Sequence, residues 1–266
     1  MSDLTLSVRN KNGEVLAEST HKDYVNLVYD KEIQEGDTIC FQTAAVNQFY
    51  VIQVDEAIAP ALVYITNPTW TFDVPFESKK ISYSKKSFIG DMHLITARRA
   101  NEDEVYRYRN LALNTHDQHG DRGMFPHASA NVETRGEAVF AARNAIDGIT
   151  ANHGHGPWPY QSWGINMDPN AEIMIEFGRT VEIDKMALWY RCDWKNDHDN
   201  WWVNVTFEFS DGTILSVPTE RSDEAQYIVL EDKKKVEWIK LGKLIKSDAP
   251  NPFPALSQWE VFGTEC

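Results

Sequence analysis

The chain has 266 residues, long for one hydrophobic core and enough for two domains of ordinary size; 42% are apolar and 25% charged, as in globular proteins. Lys and Arg number 26 against 40 Asp and Glu, a formal charge of 26 − 40 = −14. That balance repels phosphate backbones and anionic lipid, so no nucleic acid or membrane partner is expected, polyanionic glycans are disfavoured and neutral ligands fit best.

The basic runs Lys79-Lys80, Lys85-Lys86 and Lys233 to Lys235 are too short to reverse that field. The opening MSDLTLSVRN lacks a basic region followed by an apolar one, so it does not read as a signal peptide. No apolar run approaches a membrane span. Cys40, Cys192 and Cys266 are an odd, scattered set without metal-ligand spacing. Reduced thiols in the cytoplasm are the expectation; a removed leader would make the protein secreted.

In chain order, Leu4, Leu6 and Val8 alternate with polar residues, and Asn12-Gly13 supplies a turn toward Val15 and Leu16. Thr38 to Phe41, Phe49 to Val54, Ala61 to Thr66 and Trp70 to Val74 are further short apolar or alternating runs. Their spacing, without a long helical period, predicts a β-sandwich over residues 1–90. Asn101 with Glu104 forms a capping-box pair, and Val105, Tyr108 and Leu111 or Ala112 fall on one helical face. A helical connector over 91–124 follows, its polar stretch Asn114 to Gly123 marking the boundary.

From Phe125 onward β patterns return: Ile173, Ile175 and Phe177 ending at Gly178; Met186, Leu188 and Tyr190; Val203 to Phe209 before Asp211-Gly212; Val236 to Leu241; and Trp259 to Phe262. Only Ala138 to Ile146 reads as a turn or two of helix. The fold class is mainly β: two β-sandwich domains, the second spanning 125–266.

The second half carries an ordered set of motifs. They are Ala128-Ser129-Ala130, Asn144-Ala145-Ile146-Asp147-Gly148, Trp163, Ile173 to Gly178, Leu188-Trp189-Tyr190-Arg191, Val205 to Gly212 and Trp259 to Gly263. In order and spacing, residues 125–263 resemble the discoidin, or coagulation-factor C-type, family of galactose-binding-like modules, which includes many carbohydrate-binding modules. The resemblance implies a jelly-roll sandwich with ligand loops at one end, a lectin without covalent chemistry, and a buried tryptophan at Trp163. It also implies a structural calcium at Asp147 and Glu260. The acidic run that usually follows the turn is here Ile149-Thr150-Ala151-Asn152, so Thr150, Asn152 and backbone carbonyls would have to complete the ligand set.

Two loops carry the residues for sugar recognition. A pyranose needs a flat aromatic platform for its C–H face and fixed hydrogen-bonding groups at its edge. In Asn152 to Trp163, Trp158 and Tyr160 offer platforms, and His153 and His155 offer neutral donors and acceptors. The histidine pair also has metal-ligand character, but no third ligand stands at convincing spacing. In Arg191 to Trp202, Arg191 and Asp193 either pair with each other or grip vicinal hydroxyls. Trp194, His198 and Trp201 are the further candidates there, whereas Trp202 reads as core. Asn251 to Pro254 is either a third wall or a rigid connection.

Two other classes compete. His116, Asp117 and His119, with His93 or His127, would suit a carbohydrate-active enzyme or other hydrolase at the domain junction; a hydrated linker is the plainer reading. Exposed aromatics would equally serve a protein–protein interaction module.

Overall fold

The computed structural model describes residues 3–154, 156, 158–191 and 199–266. Alternation sets the first half. In β1 (Leu4–Arg9), Leu4, Leu6 and Val8 are fully buried, as a period of two requires of one sheet face. Gly13, at φ 82°, makes the turn into β2 (Val15–His21). Then come β3 (Tyr24–Tyr29), β4 (Thr38–Thr43), β5 (Gln48–Gln53), β6 (Ala61–Ile65), β7 (Thr69–Asp73) and β8 (His93–Arg99). One sheet runs β2-β1-β4-β7 and the other contains β6-β5-β8-β3. Phe41, Tyr50, Trp70 and Phe72 fill the space between them.

The first sandwich therefore reaches past residue 90. β8 pairs with both β3 and β5, and Ile95 and Ala97 enter the core, because His93 to Ala97 alternates inward and outward. The helical part of the connector shrinks to α1 (Glu102–Tyr106). Its capping box is present: Asn101 Oδ1 accepts from Glu104 N and Glu104 Oε2 accepts from Asn101 N, both at 2.9 Å. The helix stops at Tyr106, so Leu111 and Ala112 do not extend its face. They enter the second core instead, behind β9 (Arg109–Asn110), which pairs with the end of the chain.

The second sandwich is built from antiparallel strands. After β10 (Met124–Phe125) come β11 (His127–Ala130), β12 (Trp163–Gly164), β13 (Ile173–Tyr190), β14 (Trp202–Phe209), β15 (Ile214–Pro218), β16 (Gln226–Lys246) and β17 (Ala255–Glu265). The main path is β12-β17-β13-β16-β14-β15, with β11 on β13. Residues 138–146 form two 3-10 turns, Ala138–Phe140 and Ala142–Ile146. Gly178 interrupts pairing without ending its strand: at φ 68° it breaks the β13–β16 register between Glu176 and Val181. A side chain there would collide with the Phe125 ring. The core is aromatic, with Trp163, Phe177, Trp202, Phe207 and Trp259 fully buried.

The junction is stitched on both sides. Met124 and Phe125 pair with Ile65 and Tyr64 of β6, yet two residues later His127 pairs with Glu176 of β13. Met124 packs in the first core. Thr115 Oγ1 donates to Ala59 O at 2.7 Å, and the Arg179 guanidinium lies over the Phe49 and Tyr64 rings at 4.7 and 5.1 Å.

Candidate functional site

At one end of the second sandwich, three segments enclose a cavity of about 280 Å³, near the lower end of small-ligand sites. Tyr160 comes from the loop before β12, Arg191 from the end of β13, and Phe253 and Pro254 from the segment entering β17. Of Asn251 to Pro254, Phe253 and Pro254 line the cavity. The Thr134–Gly136 and Ala138–Phe140 turns add Thr134, Arg135 and Phe140, and the turn after β12 adds Asn166 and Met167. Gly164 permits this closeness: a Cβ there would meet Thr134 Oγ1 at 2.6 Å and Phe140 at 3.2 Å.

Phe253 is 37% exposed and Met167 57%, so the mouth is apolar and wet, while Arg135 and Asn166 give it a polar edge. Asn166 and Met167 both have positive φ, 49° and 60°, a costly conformation for non-glycine residues. The Asn166 N–H donates to Thr134 Oγ1 at 2.9 Å and helps hold it.

Arg191 departs from its expected role. Its partner among the described residues is Asp199: Nη2 donates to Oδ1 at 2.9 Å and Nε to Oδ2 at 3.2 Å. Nη1 donates to Tyr160 O at 3.2 Å and Ser162 Oγ at 3.4 Å. All three guanidinium nitrogens are engaged inside a site where both charged side chains are buried, so Arg191 fastens the loops rather than gripping a hydroxyl. Its planar fork suits that task, and its guanidinium also lies 5.6 Å from the Phe140 ring centre.

The other predicted binders divide. Tyr160 is mostly buried, which raises its phenol pKa, but it lines the cavity. Trp158 is half-buried and outside that lining. His153 is exposed, and its N–H donates to Pro159 O at 2.9 Å, closing the loop. Trp201 is half-buried against the core with the Arg221 guanidinium 5.3 Å from its ring centre, so it is not an open platform. Trp163 and Trp202 are core, as read from the sequence. His155, Asp193, Trp194 and His198 lie outside the described residues. Arg135, Phe140, Asn166 and Met167 were not legible as site residues, because irregular turns bring them in.

Asp147 is buried, and burial raises its carboxyl pKa to about 6. Oδ1 accepts from Ile149 N at 2.8 Å, Oδ2 accepts from Gln161 Nε2 at 3.0 Å, and the Arg143 charge acts on the same carboxyl. Glu260 accepts from the Trp189 indole at 3.0 Å. Among the described residues neither belongs to a group of three ligand-type side chains.

The junction histidines do not form one site. His116 is fully buried between Trp70 and Phe72; its Nε2 donates to Ile52 O at 2.8 Å, and burial lowers its pKa to about 4. Asp117 turns the other way, accepting from His127 Nδ1 at 2.7 Å and Ala128 N at 2.9 Å. Burial pulls His127 down, but the Asp117 carboxylate outweighs it and the net pKa is raised. His119 lies at the surface on Glu133, 2.7 Å away, and this hydrogen bond raises its pKa. Acid, base and electrophile would have to converge on one atom, and these three side chains face different ways. His119 does border a larger junction cavity of about 600 Å³, together with Arg122, Arg143 and Tyr83.

No protein-family model matches the chain, and no curated protein matches it. Several solved structures are similar to part of it. Chitosan-binding module 1 from a chitosanase/glucanase of Paenibacillus sp. IK-5 is 18% identical, with a TM-score of 0.40, covering 58% of this chain and 98% of that one. The family 32 carbohydrate-binding module of C. perfringens NanJ, in complex with galactose, is 13% identical at a TM-score of 0.42, covering 59% and 99%. The lectin domain of Lectinolysin, complexed with Lewis B antigen, is 18% identical at 0.41, covering 58% and 96%. These likenesses identify no ligand for this chain.

Proposed function

We propose that the protein binds a neutral carbohydrate, galactose-like or related, in the cavity between Tyr160, Arg191 and Phe253, without covalent chemistry. The observation that carries the reading is the cavity itself. Phe140, Tyr160 and Phe253 supply aromatic walls for the C–H face of a pyranose, and Arg135 and Asn166 supply polar groups at its edge. The net charge of −14 favours an uncharged guest.

Calorimetric titration with a panel of neutral galactosides tests it. Phe253→Ala removes an exposed ring and leaves the core intact, so affinity is expected to fall about tenfold, the value of roughly 1.4 kcal/mol of stacking. Trp158→Ala reports whether the neighbouring loop shares the contact. Absence of binding to every sugar of the panel, or equal affinity in both variants and the parent, removes this reading. Capture of a protein by the same apolar mouth, lost in Phe253→Ala, would favour the interaction-module alternative.

Calcium is a separate proposal. Asp147 and Glu260 would supply two carboxylates and backbone carbonyls the rest. The fit is partial, since both side chains already accept protein hydrogen bonds and Arg143 supplies positive charge beside Asp147. Saturating calcium is expected to raise the melting temperature if the site fills, because a ligand of the folded state alone stabilises it. Identical melting in calcium and in EDTA removes the ion.

A further inference from the structure

The first sandwich holds a group of side chains that sugar binding does not use. The turn after β5 places Asp55 and Glu56, the start of β8 places His93, and their ligand atoms lie within 4.8 Å of one another. Asp55 and His93 are buried, at 3% and 1% exposure, while Glu56 faces solvent. The group is closed on the protein side and open to water on the other.

The backbone holds each member in place. Asp55 Oδ1 accepts from Ala57 N and Oδ2 from Phe88 N, both at 2.8 Å. Glu56 Oε1 accepts from Leu94 N at 2.9 Å, and His93 Nε2 donates to Gly90 O at 3.0 Å. A neutral imidazole that donates from Nε2 keeps a lone pair on Nδ1. That atom faces Asp55 Oδ2 at 4.0 Å, too far for a hydrogen bond. Two donors on one tetrahedral zinc stand about 3.3 Å apart, so an ion would draw these two side chains together from their present spacing. A histidine anchored through its other nitrogen to a backbone carbonyl is also the usual support for a metal ligand.

Charge gives the same answer. The Asp55 and Glu56 carboxylates and the His93 ring meet in one small space. Among the described residues no Lys or Arg pairs with either carboxylate. Two carboxylates and an imidazole lone pair are gathered where a cation would relieve them.

We propose that Asp55, Glu56 and His93 bind one divalent transition-metal ion of the zinc class, with water in the remaining positions. One nitrogen and two carboxylates suit a borderline ion better than calcium, which takes six to eight oxygens. The ion would bolt β8, which lies between β5 and β3, onto the turn that leaves β5.

The test uses the full chain, stripped by chelator and titrated calorimetrically with zinc chloride and, separately, calcium chloride. The parent is expected to bind one zinc per chain and to bind calcium at least tenfold more weakly. Glu56→Gln keeps an oxygen for the Leu94 N–H and changes only an exposed side chain, so the fold is retained. Its zinc affinity is expected to fall by at least the roughly 10–100-fold that loss of an outer-shell partner costs. Cobalt(II) gives a second readout, since its visible absorption reports nitrogen ligation and should be lost in His93→Gln. No zinc binding by the parent overturns the proposal. Zinc affinity unchanged in Glu56→Gln overturns it too, by placing the ion elsewhere, for example on His153.

Discussion

Arg191→Ala is expected to destabilise the folded chain by about 3–5 kcal/mol, the cost of removing one member of a buried ion pair. The pair has side-chain exposures of 4% and 0%, so solvent screens little of it. Without the guanidinium, the buried Asp199 carboxyl loses two donors, and Tyr160 O and Ser162 Oγ lose one each. Arg191→Lys is expected to recover only part of the loss, because an ammonium cannot bond both carboxylate oxygens, Tyr160 O and Ser162 Oγ from one plane. Exchanging both partners, Arg191→Met with Asp199→Leu, should cost less than either single change. Urea unfolding of Arg191→Ala, Arg191→Lys, the double exchange and its two single components measures this. Arg191→Ala within 1 kcal/mol of the parent would show that the pair fastens nothing. Since Arg191 joins the walls of the cavity, sugar affinity should fall with stability in the single variants.

His116 is expected to make the protein acid-labile, and the sign follows from its environment. Its ordinary pKa is 6.5 and burial lowers the folded value to about 4. Between those values the unfolded chain takes up a proton that the folded chain refuses. The stabilisation is complete above pH 6.5 and is lost as pH falls toward 4, by about 3 kcal/mol over the window. His116→Gln places an amide where Nε2 donates to Ile52 O and cannot titrate. The variant should be less stable than the parent at pH 7.5 and lose less on acidification. Parallel profiles of denaturation midpoint against pH for the two proteins would rule out the assignment. The raised pKa of His127 works oppositely, favouring the folded state at lower pH, so only the difference between parent and variant isolates His116.

Much of the architecture was legible because alternation is a strong signal. Leu4, Leu6 and Val8, or Ile173, Ile175 and Phe177, declare one buried face without tertiary context. β8 was not legible, since His93 and Thr96 give a polar cast to a strand whose inner face includes a histidine. The long β13 read as two strands because Gly178 does end a register, though the chain continues. At the site, the three loops were legible as loops between strands. The role of Arg191 was not: it depends on which acidic residue folds back on it, and the sequence offers several within a few positions. Arg135 and Asn166 carry no local signal, because 3-10 and left-handed turns have no period to read.

The strap at Met124 to His127 has a further consequence. Residues only two apart pair with opposite halves of the molecule, so the halves are not beads on a tether. Cutting before residue 124 strips a rung from β6 and a plug from the first core; cutting after it leaves β11 without its lead-in. Either fragment would emerge with raw edges, and heat should melt the whole chain in one step. A guest seated against Tyr160, whose ring also borders the junction cavity, would then stiffen both lobes at once.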